Sequence, residues 1–94
     1  MTYKLRFHAM ALAEWQNLDG SIKVPFKKKL SERLENPHVQ ADALSAMNSC
    51  YKIKLKRVGF RLVYRVDDDV VTVIVIAVGK RDKSAVYSAA KTRL

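Results

Sequence analysis

A single cysteine, Cys50, stands in a chain of 94 residues. One cysteine excludes an internal disulfide and fits a reducing cytosol. A catalytic thiol needs a nearby base, and the only histidines, His8 and His38, fall in other predicted elements. Cys50 therefore reads as a small buried hydrophobe. The same three residues are too scattered to offer metal-ligand spacing, and no cofactor is expected. Glycine (three) and proline (two) are scarce, and there is no linker, internal repeat or low-complexity segment. Long apolar runs are missing as well. Residues 70–78 form the longest near-apolar stretch, far short of a membrane-spanning helix. The start, Tyr3-Lys4-Leu5-Arg6-Phe7, alternates where a signal peptide would be continuously apolar. Paired helical carboxylates for glycoside chemistry are absent. Gly79-Lys80 is similar to a phosphate-binding loop, but Arg81 replaces the required Ser or Thr and no glycine lies five residues before Gly79.

The most informative absence is local. Residues 51–66 carry six cations and no acid, whereas residues 1–50 carry seven cations against five acids. Asp67, Asp68 and Asp69 form a small acidic turn, and residues 80–94 again carry five cations against one acid. The net charge of +9 thus lies in the second half of the chain. That is the footprint of a nucleic-acid binder, although charge alone also suits a membrane surface or an acidic protein. The 49% hydrophobic content argues against disorder and supports one small domain over residues 1–94.

Read at period two, residues 50–66 separate into two faces. Tyr51, Ile53, Leu55, Phe60, Leu62, Tyr64 and Val66 point one way; Lys52, Lys54, Lys56, Arg61 and Arg65 point the other. Gly59 supplies the permissive backbone of a hairpin turn. A two-residue turn at Val58-Gly59 sets Leu55 opposite Leu62, Ile53 opposite Tyr64, Lys56 opposite Arg61 and Lys52 opposite Arg65. Like charges facing one another are destabilising, so a merely solvated face would intersperse acids. The hairpin reads as a surface built to hold a polyanion.

Around it, residues 2–7 read as a strand and 8–18 as a helix with Leu12, Trp15 and Leu18 at helical spacing, closed by Asp19-Gly20. A second helix, capped by Ser21 and carrying Pro25 in its first turn, runs to about Glu35 on a stripe of Ile22, Phe26, Leu30 and Leu34. Asn36-Pro37 stops it. Residues 41–47 suggest a short helical turn, with Leu44 and Met47 as anchors. The run at 70–78 is apolar on both faces and should be an interior strand; residues 84–93 look like a last short helix. The expected fold is α+β: a small antiparallel sheet of about four strands, two N-terminal helices on one face and a short C-terminal helix, with the lysine side partly open.

These residues carry a resemblance. The pattern C-Y-K-I-K-L-x-x-x-G-F-R-L-V-Y-x-V at 50–66, then V-G-K-R and Val86-Tyr87, resembles the RelE toxins of bacterial toxin–antitoxin pairs. Ala11, Leu12, Glu14 and Trp15, the K-K-K-L of the second helix, and Leu44 with Met47 extend it along nearly the whole chain. The resemblance implies an endonuclease that cuts mRNA in the ribosomal A site, a cognate RelB-like antitoxin that neutralises it, and a joint complex on operator DNA. It also implies a catalytic set of Lys52, Lys54, Arg61, Arg81 and Tyr87, with Lys56, Arg65, Lys80 and Lys83 as accessory RNA or ribosome contacts. Some members carry arginine where this chain has Ser45-Ala46.

The set makes chemical sense unaided. RNA is cut when its own 2′-hydroxyl attacks the adjacent phosphate, which needs charge stabilisation, a proton acceptor and a proton donor. Lys54, Arg61 and Arg81 supply positive charge, the guanidinium forks suiting bidentate phosphate contact. Lys52 and Lys54 lie about 7 Å apart on one strand face and can straddle a phosphate. Tyr87 can stack on a base or share the proton transfer. No member titrates near neutrality, lysine and tyrosine both lying near ~10, though crowded cations lower them. That weakness fits an enzyme that depends on the ribosome to position its substrate. Two other classes stay open: a non-enzymatic gyrase poison like the related ParE proteins, which generally lack the basic set, and a nucleic-acid-binding module without chemistry.

Overall fold

The alternating segments form strands where the pattern puts them. The computed structural model describes residues 2–80 and 85–94. Strands β1 (Lys4–Phe7), β2 (Cys50–Leu55), β3 (Phe60–Asp67) and β4 (Thr72–Lys80) form one sheet in the order β1-β4-β3-β2. Helices α1 (Ala9–Gln16) and α2 (Gly20–Glu35) follow β1, and α3 (Ala85–Arg93) follows β4. The architecture is the expected α+β with four strands. One pairing corrects the antiparallel expectation: β1 runs parallel to β4, so the sheet is mixed. The cause is the α1–α2 crossover, which returns the chain to the far edge in the direction of β1. Two antiparallel reversals, β2 to β3 to β4, then bring β4 back in that same direction.

The apolar face packs on the helical pair. Ile22, Phe26 and Leu30 of α2 are buried with Ala11 of α1 against Tyr51, Ile53, Leu62, Tyr64, Val73, Val75 and Val78, and Leu34 packs beside them. On α1 Ala11 is buried and Trp15 partly so, Leu18 just past the helix packs beside them, and Leu12 is exposed. A second cluster fills part of the other face: Met47, Cys50, Val63, Ile76 and Ala77 meet Val86 and Ala90 of α3. Leu44 packs on this cluster, so the anchors at 44 and 47 hold, although the helical turn there is 3₁₀ and spans Gln40–Asp42. Cys50 is buried, and burial pushes its thiol up, against the pull of Arg65.

The second helix starts earlier than its sequence suggests. Asp19, not Ser21, is the N-cap, its carboxylate accepting from the Ser21 N–H and hydroxyl. The helix then begins at Gly20, and Pro25 falls in the second turn, where its missing N–H deprives the Ser21 carbonyl of its helical partner. Asp19→Ala should therefore lower the urea midpoint, as loss of a cap does, and Ser21→Ala should lower it by less. Urea midpoints check the ranking; an equal or larger loss at Ser21 would return the cap to that residue.

The hairpin register also shifts. Leu55 faces Phe60, Ile53 faces Leu62, Tyr51 faces Tyr64 and Cys50 faces Arg65. The connection is four residues, Lys56 to Gly59, with Gly59 at φ +69° and its N–H on the Leu55 carbonyl at 2.9 Å. A shift of two residues preserves both faces and changes every opposite pair. β4 is interior, as its β-branched run requires, but it is interrupted: Val63 faces Ala77 while Tyr64 faces Val75, leaving Ile76 as the extra residue of a bulge.

Candidate active site

The corrected register concentrates the charge. Lys54 on β2 lies directly opposite Arg61 on β3, and Arg61 lies opposite Gly79 on β4. Opposed Cα atoms sit about 4.5–5.5 Å apart, so an ammonium and a guanidinium rise side by side from adjacent strands. Lys52, two residues along β2, stands next to Lys54 and opposite Val63. Gly79 contributes no side chain to this row, and a Cβ there would meet Val86 Cγ2 at 3.2 Å. The glycine thus lets α3 approach the sheet closely beside Arg61.

Arg61 is 8% exposed and donates to the Phe60 carbonyl at 3.3 Å. Among the described residues no carboxylate forms an ion pair with Lys52, Lys54, Lys56, Arg61 or Arg65. The consequence appears at Lys54, whose ammonium titrates below the ordinary lysine value. The charge of Lys52 is the main cause, followed by partial desolvation and the charges of Arg61 and Lys56. A half-shielded cation row with no carboxylate partner among the described residues suits an anion, and its crowding eases the loss of a proton from Lys54. From the row a cleft of about 550 Å³ runs toward α2, lined by Lys54, Lys56, Arg57, Lys29, Ser21 and Pro25, with no acid in its wall. Among the described residues no cluster of His, Cys, Asp and Glu could hold a metal.

The remaining sequence-predicted residues fall as follows. Tyr87 is part-buried on α3, packed against the second cluster on the face that also carries the row. Lys56 is exposed in the hairpin loop. Arg65 lies at the other end of the hairpin, opposite Cys50. Lys80 is opposite Phe60, whose side chain joins the helical-pair core, so its register places it on the reverse face from Arg61. Arg81 and Lys83 lie outside the described residues. β2 is an edge strand, so its lysines also discourage pairing with another sheet.

The roles of three supporting residues, Arg33, Glu14 and Arg93, escaped the sequence reading. Arg33 of α2 donates to the Tyr64 hydroxyl at 2.9 Å and the Lys52 carbonyl at 3.3 Å, and pairs with Asp42. It clamps the lysine strand from beneath. Burial disfavours its charge, but Tyr64 and Asp42 outweigh that, and the guanidinium titrates above its usual range. Glu14 and Arg93 pair across the sheet rim. Each is a charged residue beside an apolar helical position, and nothing local distinguishes such a residue from a solvated one.

The fold is that of a small α+β toxin of a two-component toxin–antitoxin pair. The family model described as ParE toxin of type II toxin–antitoxin systems matches residues 5–85, and the chain belongs to this RelE/ParE family. It is 50% identical to the mRNA interferase toxin RelE of Escherichia coli K12, over all of this chain and 99% of the relative. A free-state structure of a mutant E. coli RelE toxin superposes with a TM-score of 0.92 at 49% identity, over 100% of this chain and 99% of that one. RelE in the intact E. coli RelBE toxin–antitoxin complex superposes at 0.83 and 48% identity, over 86% of this chain and 99% of that one. Among the described residues no helix is long and apolar enough to cross a membrane.

Proposed function

We propose that this chain, acting as one domain in the cytoplasm, is an mRNA interferase that cleaves codons in the ribosomal A site. The observation that carries the reading is the acid-free row Lys52–Lys54–Arg61 in a chain half identical to a RelE interferase. The 2′-hydroxyl of the nucleotide before the cut gives its proton to Lys54 and attacks the adjacent phosphorus. Arg61 and Lys52 hold the charge that builds on the phosphorane oxygens, with Arg81 as a further cation. The 5′-oxygen leaves by taking a proton from water, and Lys54 returns the 2′ proton to solvent, giving a 2′,3′-cyclic phosphate and a 5′-hydroxyl. Tyr87 stacks on or orients a base beside the reacting phosphate.

Lysine titrates far from neutrality, so the free enzyme holds little base at pH 7. Positioning by the ribosome supplies the effective concentration that compensates. The partner is a RelB-like antitoxin whose acidic, amphipathic segment covers the cationic face or displaces α3. With it bound, the complex occupies operator DNA.

The test compares one message, naked and on translating ribosomes. Cuts confined to A-site codons, with cyclic-phosphate and 5′-hydroxyl ends, are expected; equal rates on naked RNA would sink the ribosome dependence. The ParE description of the family model makes gyrase poisoning the second reading, and inhibition of supercoiling without RNA cuts would select it.

A further inference from the structure

Helix α3 is weakly fastened by apolar contact. Of its nine residues only Val86 and Ala90 are buried. A helix this short is marginal on its own in water. Its C-terminal end is held by charge instead. Arg93, the last helical residue, donates Nη1 to Glu14 Oε1 and Nη2 to Glu14 Oε2, each at 2.8 Å, and Nη1 also reaches the Ile76 carbonyl at 2.9 Å. Glu14 Oε1 accepts in addition from the Val78 N–H at 3.1 Å.

The place of this fork follows from the strand lengths. β1 pairs with β4 only as far as Phe7 opposite Val75, after which the His8 N–H closes on the Val75 carbonyl at 2.8 Å. Among the described residues no strand pairs with β4 beyond that point on its β1 side. Ile76, the bulged residue, and Val78 present backbone groups there, and Glu14 from α1 and Arg93 from α3 satisfy them. The Arg93 side chain is 9% exposed, so the pair is shielded enough to be directional. Burial disfavours the Glu14 charge, yet the contacts to Arg93 and Val78 outweigh it and hold the carboxyl below its usual value.

We propose that the Glu14–Arg93 fork is the positioning device for Tyr87, fixing α3 on the β4 rim and thereby setting where Tyr87 meets substrate beside the Lys54–Arg61 row. The proposal rests on the reading of Tyr87 as a substrate contact. Tyr87 lies six residues before Arg93 on the same helix, about 9 Å along the axis. α3 joins the second cluster and not the helical-pair core, so releasing it leaves the main packing of α1 and α2 on the sheet in place. Loss of the fork is therefore read first in the bound-state rate, beside the lower stability that breaking a shielded ion pair brings.

A mutant cycle on the full chain tests this, using single-turnover cleavage at saturating programmed ribosomes. Arg93→Ala is expected to slow the bound-state rate roughly tenfold or more, as misplacement of a contact does. Ribosome affinity should hold and the urea midpoint should fall, while amide exchange rises through α3 and not in β2–β3. In a Tyr87→Ala background the same change should add less than about twofold, the signature of two residues acting through one contact. Arg93→Lys, which keeps the charge and loses the fork, should recover only part of the rate. Lys91→Ala, on the exposed side of α3, should cleave normally. Losses that multiply, or a full rate in Arg93→Ala where Tyr87→Ala is slow, would overturn the positioning role alone. A Tyr87→Ala variant at full rate would overturn this role and the reading of Tyr87 together.

Discussion

Lys54→Arg is expected to slow cleavage by roughly 100-fold or more at saturating ribosome, the scale of a lost general base, while ribosome affinity barely changes. Both side chains bring one positive charge to a phosphate, so binding, mostly a sum of cations, is nearly blind to the exchange. The proton inventories differ. Lys54 sits beside Lys52, Arg61 and Lys56, and that crowding lowers its affinity for a proton. A guanidinium keeps its proton throughout the accessible range and cannot accept one. The sign of the pH dependence follows. The neutral amine is the reactive form, so the wild-type rate rises with pH as the population of deprotonated Lys54 grows. Lys52→Ala removes the main cause of the lowered value and should move that rise to higher pH. Arg65→Ala lies outside the row and should weaken binding chiefly; Lys56→Ala should weaken binding too, with a smaller shift of the rise than Lys52→Ala. If Lys54→Arg instead loses rate and affinity in step with these controls, the hairpin is a docking surface and the proton acceptor lies elsewhere.

The second large effect is on stability. Arg33→Met should lower the unfolding free energy by about 2–4 kcal/mol, within the range for breaking a shielded charged contact. Methionine replaces much of the packing volume of the arginine stem, so the loss is polar in origin. The Asp42 carboxylate loses its ion pair, the Tyr64 hydroxyl keeps only its 2.7 Å bond to the Pro37 carbonyl, and the Lys52 carbonyl loses a donor. Arg33→Met/Asp42→Leu should recover part of the deficit, because an apolar pair leaves no stranded charge. Chemical denaturation of the four corners of that cycle decides it. Equal stability of Arg33→Met and wild type would mean that the clamp is a surface contact of no consequence.

Much of this molecule was legible because its signals are periodic. The two faces of residues 50–66, the stripe Ile22–Phe26–Leu30–Leu34 and the β-branched run of β4 each fix an element and its buried side without reference to the others. Pairing was less legible. The hairpin loop is four residues where glycine suggested two, so the faces came out right and the partners wrong, with Lys54 meeting Arg61 in place of Lys56. The parallel β1–β4 pair depends on the crossover of two helices, which no local pattern encodes. Arg33, Glu14 and Arg93 depend on partners 9 to 79 residues away along the chain, and a lone charged residue in a helix carries no mark of such a partner.

The bulge in β4 acts as a change of parity. Before it, the odd-numbered side chains Val73 and Val75 enter the core under α1 and α2; after it, the even-numbered Val78 does. One surplus residue, Ile76, performs the switch. Had the strand kept its first parity, Val78 would stand in the row beside Arg61, and an isopropyl group would fill the ground above the guanidinium. With the parity reversed that place falls to Gly79, and the space beside the guanidinium goes to Val86 of α3. How closely α3 lies on the charge at one end of the strand is thus set by a counting step three residues earlier.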